Sequence, residues 1–202
     1  MAKPIWNMLM GKKNMLSKEK KPEIIVFAGP NGSGKSTVTK MAKVIEPYIN
    51  ADDIKASIQC DDLTAAQKAT QMREEQVLQG KSFTFETVLS TERNLRLLEK
   101  AKKKGFFIRC IYVLTVSPDI NVLRVKTRVA TGGHPVEEKT IRKRYYRALK
   151  LIPELLNVCD VCHIYDNSKN FPIRIFKKRK EEMFYWESEL WDKKAILKLV
   201  GM

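Results

Sequence analysis

The chain has 202 residues, 44% hydrophobic and 30% charged, a balance that excludes wholesale disorder and leaves room for one domain with a sizeable core. No apolar run approaches the ~20 residues a bilayer span requires, so no membrane association is expected. With 38 Lys and Arg against 23 Asp and Glu, the formal charge of +15 draws anions such as nucleotides, nucleotide sugars and nucleic acid, although each lysine run could equally be a solvated face.

Residues 1–21 mix Ile5, Trp6, Met8, Leu9 and Met10 with lysines and read as an N-terminal tail or docking helix ahead of one domain over 22–202. They hold no secretory signal core, which together with the four unpatterned cysteines points to a reducing cytoplasm. From Glu23 onward, short β-rich runs alternate with longer helical ones, the rhythm of an α/β fold with a mostly parallel central sheet flanked by helices.

The first strand is expected over 24–28. It leads into Gly29, Pro30, Asn31, Gly32, Ser33, Gly34, Lys35 and Ser36, a complete G-x-x-x-x-G-K-[ST] between a strand and a helix expected over 35–45. Phosphate oxygens must come close to the main chain, and glycines turn successive N–H groups inward with no Cβ in the way. Lys35 is expected to reach the β and γ phosphates of ATP or GTP, and the Ser36 hydroxyl to ligate Mg²⁺. Thr37 follows as the last of the nucleotide-binding set, expected to turn toward the buried side of its helix.

A second strand over 48–50 delivers Asn50-Ala51-Asp52-Asp53 to the carboxyl edge of the sheet, where α/β ligands bind. Asp52 is placed there to accept the proton of an attacking hydroxyl; the bland alternative is that it caps a helix beginning near Ile54. Asp53 is assigned to the acceptor. A helix over 64–79, closed by Gly80, precedes a strand over 82–87 ending in Glu86 and Thr87. Glu86 resembles a Walker-B carboxylate that orients Mg²⁺, and with Thr87 it also stands at the acceptor; a structural ion pair is the alternative.

A helix over 93–104, Gly105 and a strand over 107–114 come next, then a helix over 120–131 carrying Arg124 and Arg128 four residues apart. Gly132, Gly133, His134 and Pro135 break it before a helix over 137–156 with Arg142, Arg144 and Arg147, an arrangement that reads as a mobile helical lid. Arg128 and Arg144 are expected to stabilise charge on a transferring phosphate, with Arg124 and His134 on the substrate, unless these cations are simply solvated. Cys159 and Cys162 make a single C-x-x-C without the second pair a zinc site needs, and lead into a strand over 161–165; 173–176 completes the sheet as an edge.

The phosphate loop, Asn-Ala-Asp-Asp at 50–53, Phe-Glu-Thr at 85–87, Arg128, Gly-Gly-His at 132–134, Arg-Tyr at 144–145 and Tyr-Asp-Asn-Ser at 165–168, in this order, resemble the zeta toxin family of P-loop kinases. The resemblance implies that Lys35 binds ATP phosphates, that Asp52 is the base toward the acceptor hydroxyl, and that Arg128 stabilises the transferring phosphate. It also implies UDP-N-acetylglucosamine, a nucleotide sugar, as acceptor and a small helical antitoxin as partner. The chain departs from the family in its Asn-Ala-Asp setting of Asp52, in Thr-Val-Leu-Ser-Thr after Glu86, and in its short, basic, aromatic-rich C-terminus with Phe184, Tyr185 and Trp186. Its charge and aromatics keep open a rival acceptor, a nucleic-acid hydroxyl. Against a motor or transporter subunit stand the lack of a Leu-Ser-Gly-Gly-Gln signature and the little room that 202 residues leave for the usual accessory parts.

Overall fold

The computed structural model describes residues 21–202, so the tail or docking helix expected at 1–21 lies outside the described residues except for Lys21. One seven-stranded sheet organises the molecule: β1 (Glu23–Ala28), β2 (Tyr48–Ile49), β3 (Phe83–Thr87), β4 (Phe107–Leu114), β5 (Val161–Asp166), β6 (Ile173–Arg179) and β7 (Glu182–Tyr185), in the order β2-β3-β1-β4-β5-β6-β7. The first five are mutually parallel and the last two turn antiparallel. Parallel strands are joined by crossover helices that bury them. Accordingly β1 is apolar on both sides, with Ile24, Val26, Phe27 and Ala28 fully buried.

The helices are α1 (Lys35–Lys40), α2 (Ala51–Ile58), α3 (Asp62–Leu78), α4 (Arg93–Lys103), α5 (Pro118–Ala130), α6 (Glu138–Lys150), α7 (Ile152–Val158) and α8 (Lys193–Val200). The main core lies where Ala69, Leu98, Leu155 and Ile196, from α3, α4, α7 and α8, meet Val26, Phe85, Ile108, Tyr112 and Ile164 of the sheet. On the opposite face α1 packs against β1 and β4. Cys110, Cys159 and Cys162 are buried core thiols, and no described helix is long and apolar enough to cross a membrane.

Several boundaries differ from the sequence-based expectation for identifiable reasons. Helix α1 stops at Lys40 rather than 45, because the chain must turn back toward Pro47, where Ile45 N donates to Thr84 Oγ1 (2.8 Å). The helix expected over 137–156 is two, since Pro153 in the first turn of α7 has no N–H to continue the ladder of α6. Strand β6 is not the edge: it runs on to Arg179 and is itself covered by β7, and α8 closes the chain.

Candidate active site

Three parts of the fold grip the loop after β1. Gly29 N donates to Thr87 O of β3 (3.2 Å), the Asn121 amide of α5 donates to Asn31 O (2.5 Å), and the Asn167 amide beyond β5 donates to Ser33 O (2.8 Å). At Gly29 a Cβ would stand 1.9 Å from Val113 O, and at Gly34, with φ of 93°, 2.2 Å from Asn167 Nδ2. Neither position can carry a side chain, because backbone or a clamped amide already fills the space. At Gly32 a Cβ would stand 2.5 Å from Asn121 O.

Asn121 is fully buried, its Oδ1 accepting from Thr115 Oγ1, while Tyr145 of α6 donates to Thr115 O (2.6 Å). Replacing Asn121 with Ala therefore strands Asn31 O and leaves Thr115 Oγ1 with Ser117 O (3.0 Å) as its remaining acceptor. Urea unfolding should show a loss of about 1–3 kcal/mol; an unchanged midpoint would mean that the clamp is slack.

The Lys35 ammonium is folded over the loop, donating to Gly29 O (2.9 Å) and Pro30 O (3.2 Å). Burial pushes its pKa down, the carboxylates of Glu86 and Asp52 work against that, and Arg128 adds to the depression. Charges on β3, α2 and α5 thus act on this lysine. Ser33 Oγ is buried without a hydrogen-bond partner among the described residues. An orphaned hydroxyl, main chain bare of Cβ atoms and a half-buried ammonium together fit the anionic tail of a nucleotide.

Beside the lysine, Glu86 accepts from Thr39 Oγ1 (2.8 Å) and Ser36 Oγ (3.3 Å). The serine hydroxyl and the carboxylate are adjacent hard oxygens, suited to Mg²⁺, which takes one or two protein ligands and completes its octahedron with phosphate and water. Among the described residues no cluster of three or more metal-binding side chains occurs. Thr37, expected on the buried side of α1, is exposed; Thr39 occupies the inward position, because a helix brings residue 39 rather than 37 under residue 35.

Asn50, not Asp52, caps α2: its Oδ1 accepts from Asp52 N (3.0 Å), and the helix begins at Ala51. The capping alternative for Asp52 is thereby removed. Its carboxylate is exposed in the first turn and accepts no hydrogen bond among the described residues. Burial raises the pKa of Asp53, with Glu86 and then Asp52 adding to it. Burial, reinforced by Glu86, likewise raises that of the Tyr48 phenol.

The cations of the lid have distinct partners. Arg128 donates to His134 O (3.0 Å), closing the turn between α5 and α6; Arg144 Nη1 lies 3.5 Å from Asn31 Oδ1 on the phosphate loop. Arg124 reaches Lys169 O (3.4 Å) and keeps Nη1 buried and unpartnered among the described residues. Arg142 is committed to Asp119 and Glu138. His134 is exposed and engaged through its carbonyl, and Thr87 Oγ1 accepts from Leu89 N (3.0 Å) and Asn94 Nδ2 (2.7 Å), holding the turn after β3.

Ser36 and Glu86 are therefore bonded beside Lys35, Arg144 stands on the loop's rim, and the charges of Asp52 and Arg128 act on Lys35. Arg124 lies toward the chain after β5, and Thr87 serves the backbone. Sequence reasoning assigns no role to Thr39, Tyr48, Asn121 or Asn167. For Asn167 the Asp-Asn-Ser run after a strand is a usable signal; the others are single polar residues in apolar contexts.

The chain matches the family model described as Zeta toxin over residues 7–185. It is 31% identical over 127 residues to an uncharacterized protein of Haemophilus influenzae, covering 60% of this chain and 91% of that one. Among solved structures it is similar to one from the PezAT chromosomal toxin-antitoxin system of Streptococcus pneumoniae, with TM-score 0.57 and 15% identity over 78% of this chain and 71% of the other. It is also similar to the complex of AvrRxo1-ORF1 and AvrRxo1-ORF2 with ATP, with TM-score 0.56 and 13% identity over 91% of this chain and 65% of that one. At these identities the solved structures speak to the fold, the mostly parallel sheet and helices of P-loop kinases.

Proposed function

We propose that this chain, which belongs to the zeta toxin family, is an ATP-dependent kinase that transfers the γ-phosphate to a hydroxyl of a nucleotide sugar such as UDP-N-acetylglucosamine, and that it is the toxin of a toxin–antitoxin pair. The observation that carries the reading is the Lys35 ammonium folded onto Gly29 O and Pro30 O, with the Ser36 hydroxyl bonded to Glu86 of β3 beside it and Arg144 of α6 reaching Asn31 on the same loop. A nucleotide-binding module without chemistry would not need a lid arginine at its phosphate loop.

The triphosphate of ATP lies in the loop of residues 29–34, with Lys35 passing from the carbonyls of Gly29 and Pro30 to the phosphate oxygens. The base fits a cavity of about 300 Å³ beside Asn167, lined by Asp166, Lys169, Phe171 and Leu190 among others, with Arg124 at its margin. Ser36 and Glu86 would hold Mg²⁺, which would supply positive charge against the phosphates. Asp52 takes the proton of the acceptor hydroxyl; that oxygen bonds to the γ-phosphorus as the bond to the β–γ bridging oxygen breaks, and ADP leaves. Arg128 and Arg144 offset the charge spread over the transferring group. Asp53 and His134 contact the acceptor, and the turn at 131–137 moves to admit it.

The destination of the γ-phosphate decides the matter: the protein is incubated with γ-labelled ATP and a panel of nucleotide sugars, nucleosides and polynucleotides. Label on a nucleotide sugar is the expected result. Label on a polynucleotide end would replace the acceptor, and ATP left intact with every member of the panel would refute the kinase reading.

A further inference from the structure

The sheet has an unequal pair of faces. One is buried under α3, α4, α7 and α8. On the other, α1 lies against β1 and β4, and over β5, β6 and β7 the strands carry exposed or half-buried side chains instead of a core.

Strand register arranges those side chains in rows. His163 pairs with Lys177 and Lys177 with Phe184; in the next row Tyr165 pairs with Arg174, alongside Trp186, whose N donates to Ile175 O (2.9 Å). These two rows read aromatic, cation, aromatic over strands ~4.8 Å apart, the second ending on Trp186 just past β7, while the row beyond them reads Val161, Arg179, Glu182. The rings align along the strands as well: His163 and Tyr165 are stacked at 6.3 Å, Phe184 and Trp186 at 6.5 Å. The Arg174 guanidinium sits 4.2 Å from the Trp186 ring centre and Lys177 Nζ 5.5 Å from that of Phe184.

Phe184 and Trp186 are 43% and 39% exposed, too open for residues that merely finish a core. Burial, then Arg174, Lys177 and Arg109, push the His163 pKa down to about 4, so its ring is a neutral aromatic surface at physiological pH. Arg109 is paired with Glu23, whereas Arg174, Lys177 and Arg179 form no ion pair among the described residues.

An apolar protein partner would bury these cations uncompensated, at a cost. Residues 1–20 carry five Lys and one Glu, the same sign as the face, and so are not a charge-complementary occupant. A ligand with flat rings and regularly spaced negative charge satisfies both components of the rows. We propose that this face binds single-stranded nucleic acid, with Arg174 and Lys177 neutralising phosphates and Tyr165, Phe184 and Trp186 stacking bases. The surface is separate from the phosphate loop and does not depend on the kinase reading.

Anisotropy of a labelled twelve-nucleotide single strand, titrated with the full chain across a salt series, tests this. The wild type should bind it more tightly than the matched duplex. In R174A/K177A the logarithmic salt slope should shrink by about 1.4, roughly 0.7 for each phosphate no longer neutralised. F184A/W186A should weaken binding about fivefold or more for each base stacked, with labelled phosphate transfer unchanged in both variants. Binding indifferent to both variants would overturn the proposal. Equal competition by polyglutamate would assign the face to an acidic protein and overturn it too. A melting temperature several degrees lower in F184A/W186A, with nucleic-acid binding intact, would assign it to the chain's own residues and do the same.

Discussion

Asp52→Asn is expected to leave ATP binding within about twofold of wild type while lowering the rate of phosphate transfer by roughly 10²–10⁴. The substitution keeps size and shape, so α2 and its Asn50 cap are undisturbed, since the cap contacts the backbone N of residue 52 and not its side chain. What changes is the capacity to accept a proton. Calorimetric titration with ATP, next to single-turnover transfer at saturating nucleotide and acceptor, separates the two effects. If transfer persists at the wild-type rate, the base is elsewhere, and Asp53, whose pKa is raised by burial and by Glu86, is the next group to replace.

Arg128→Ala is expected to cost about a thousandfold or more in turnover, equivalent to ~4 kcal/mol of transition-state stabilisation. The residue is exposed and its one hydrogen bond is to His134 O, so thermal stability should fall little. Loss of turnover without loss of fold is the signature of a charge acting on the reacting phosphate. Turnover that is unchanged at saturating substrates would reduce Arg128 to a brace for the lid turn, and Arg144, 3.5 Å from Asn31, would inherit the role.

The phosphate loop is readable from sequence because its chemistry is local: eight consecutive residues determine both backbone shape and charge. The five parallel strands are readable for a related reason, since buried strands are short apolar runs. The C-terminal hairpin is not, because β6 and β7 alternate cations with aromatics on a face that no described helix covers, and Lys177 to Lys180 looks in one dimension like a solvated charge run. The residues that clamp the loop are hidden by distance. Asn121 and Asn167 lie 90 and 134 residues from the atoms they hold, and only the strand order, which puts β1 between β3 and β4, brings them there. Glu86 is legible because it ends an apolar strand, but Thr39 beneath it is not, since a change of phase along a six-residue helix separates it from the exposed Thr37.

Asn31 has one tie to each helix of the lid, its carbonyl to Asn121 on α5 and its side chain to Arg144 on α6. A nucleotide settling into the loop cannot reshape that residue without tugging on both, so filling the phosphate seat and setting the lid's posture belong to a single equilibrium. By linkage each substrate should then bind more tightly once the other is in place.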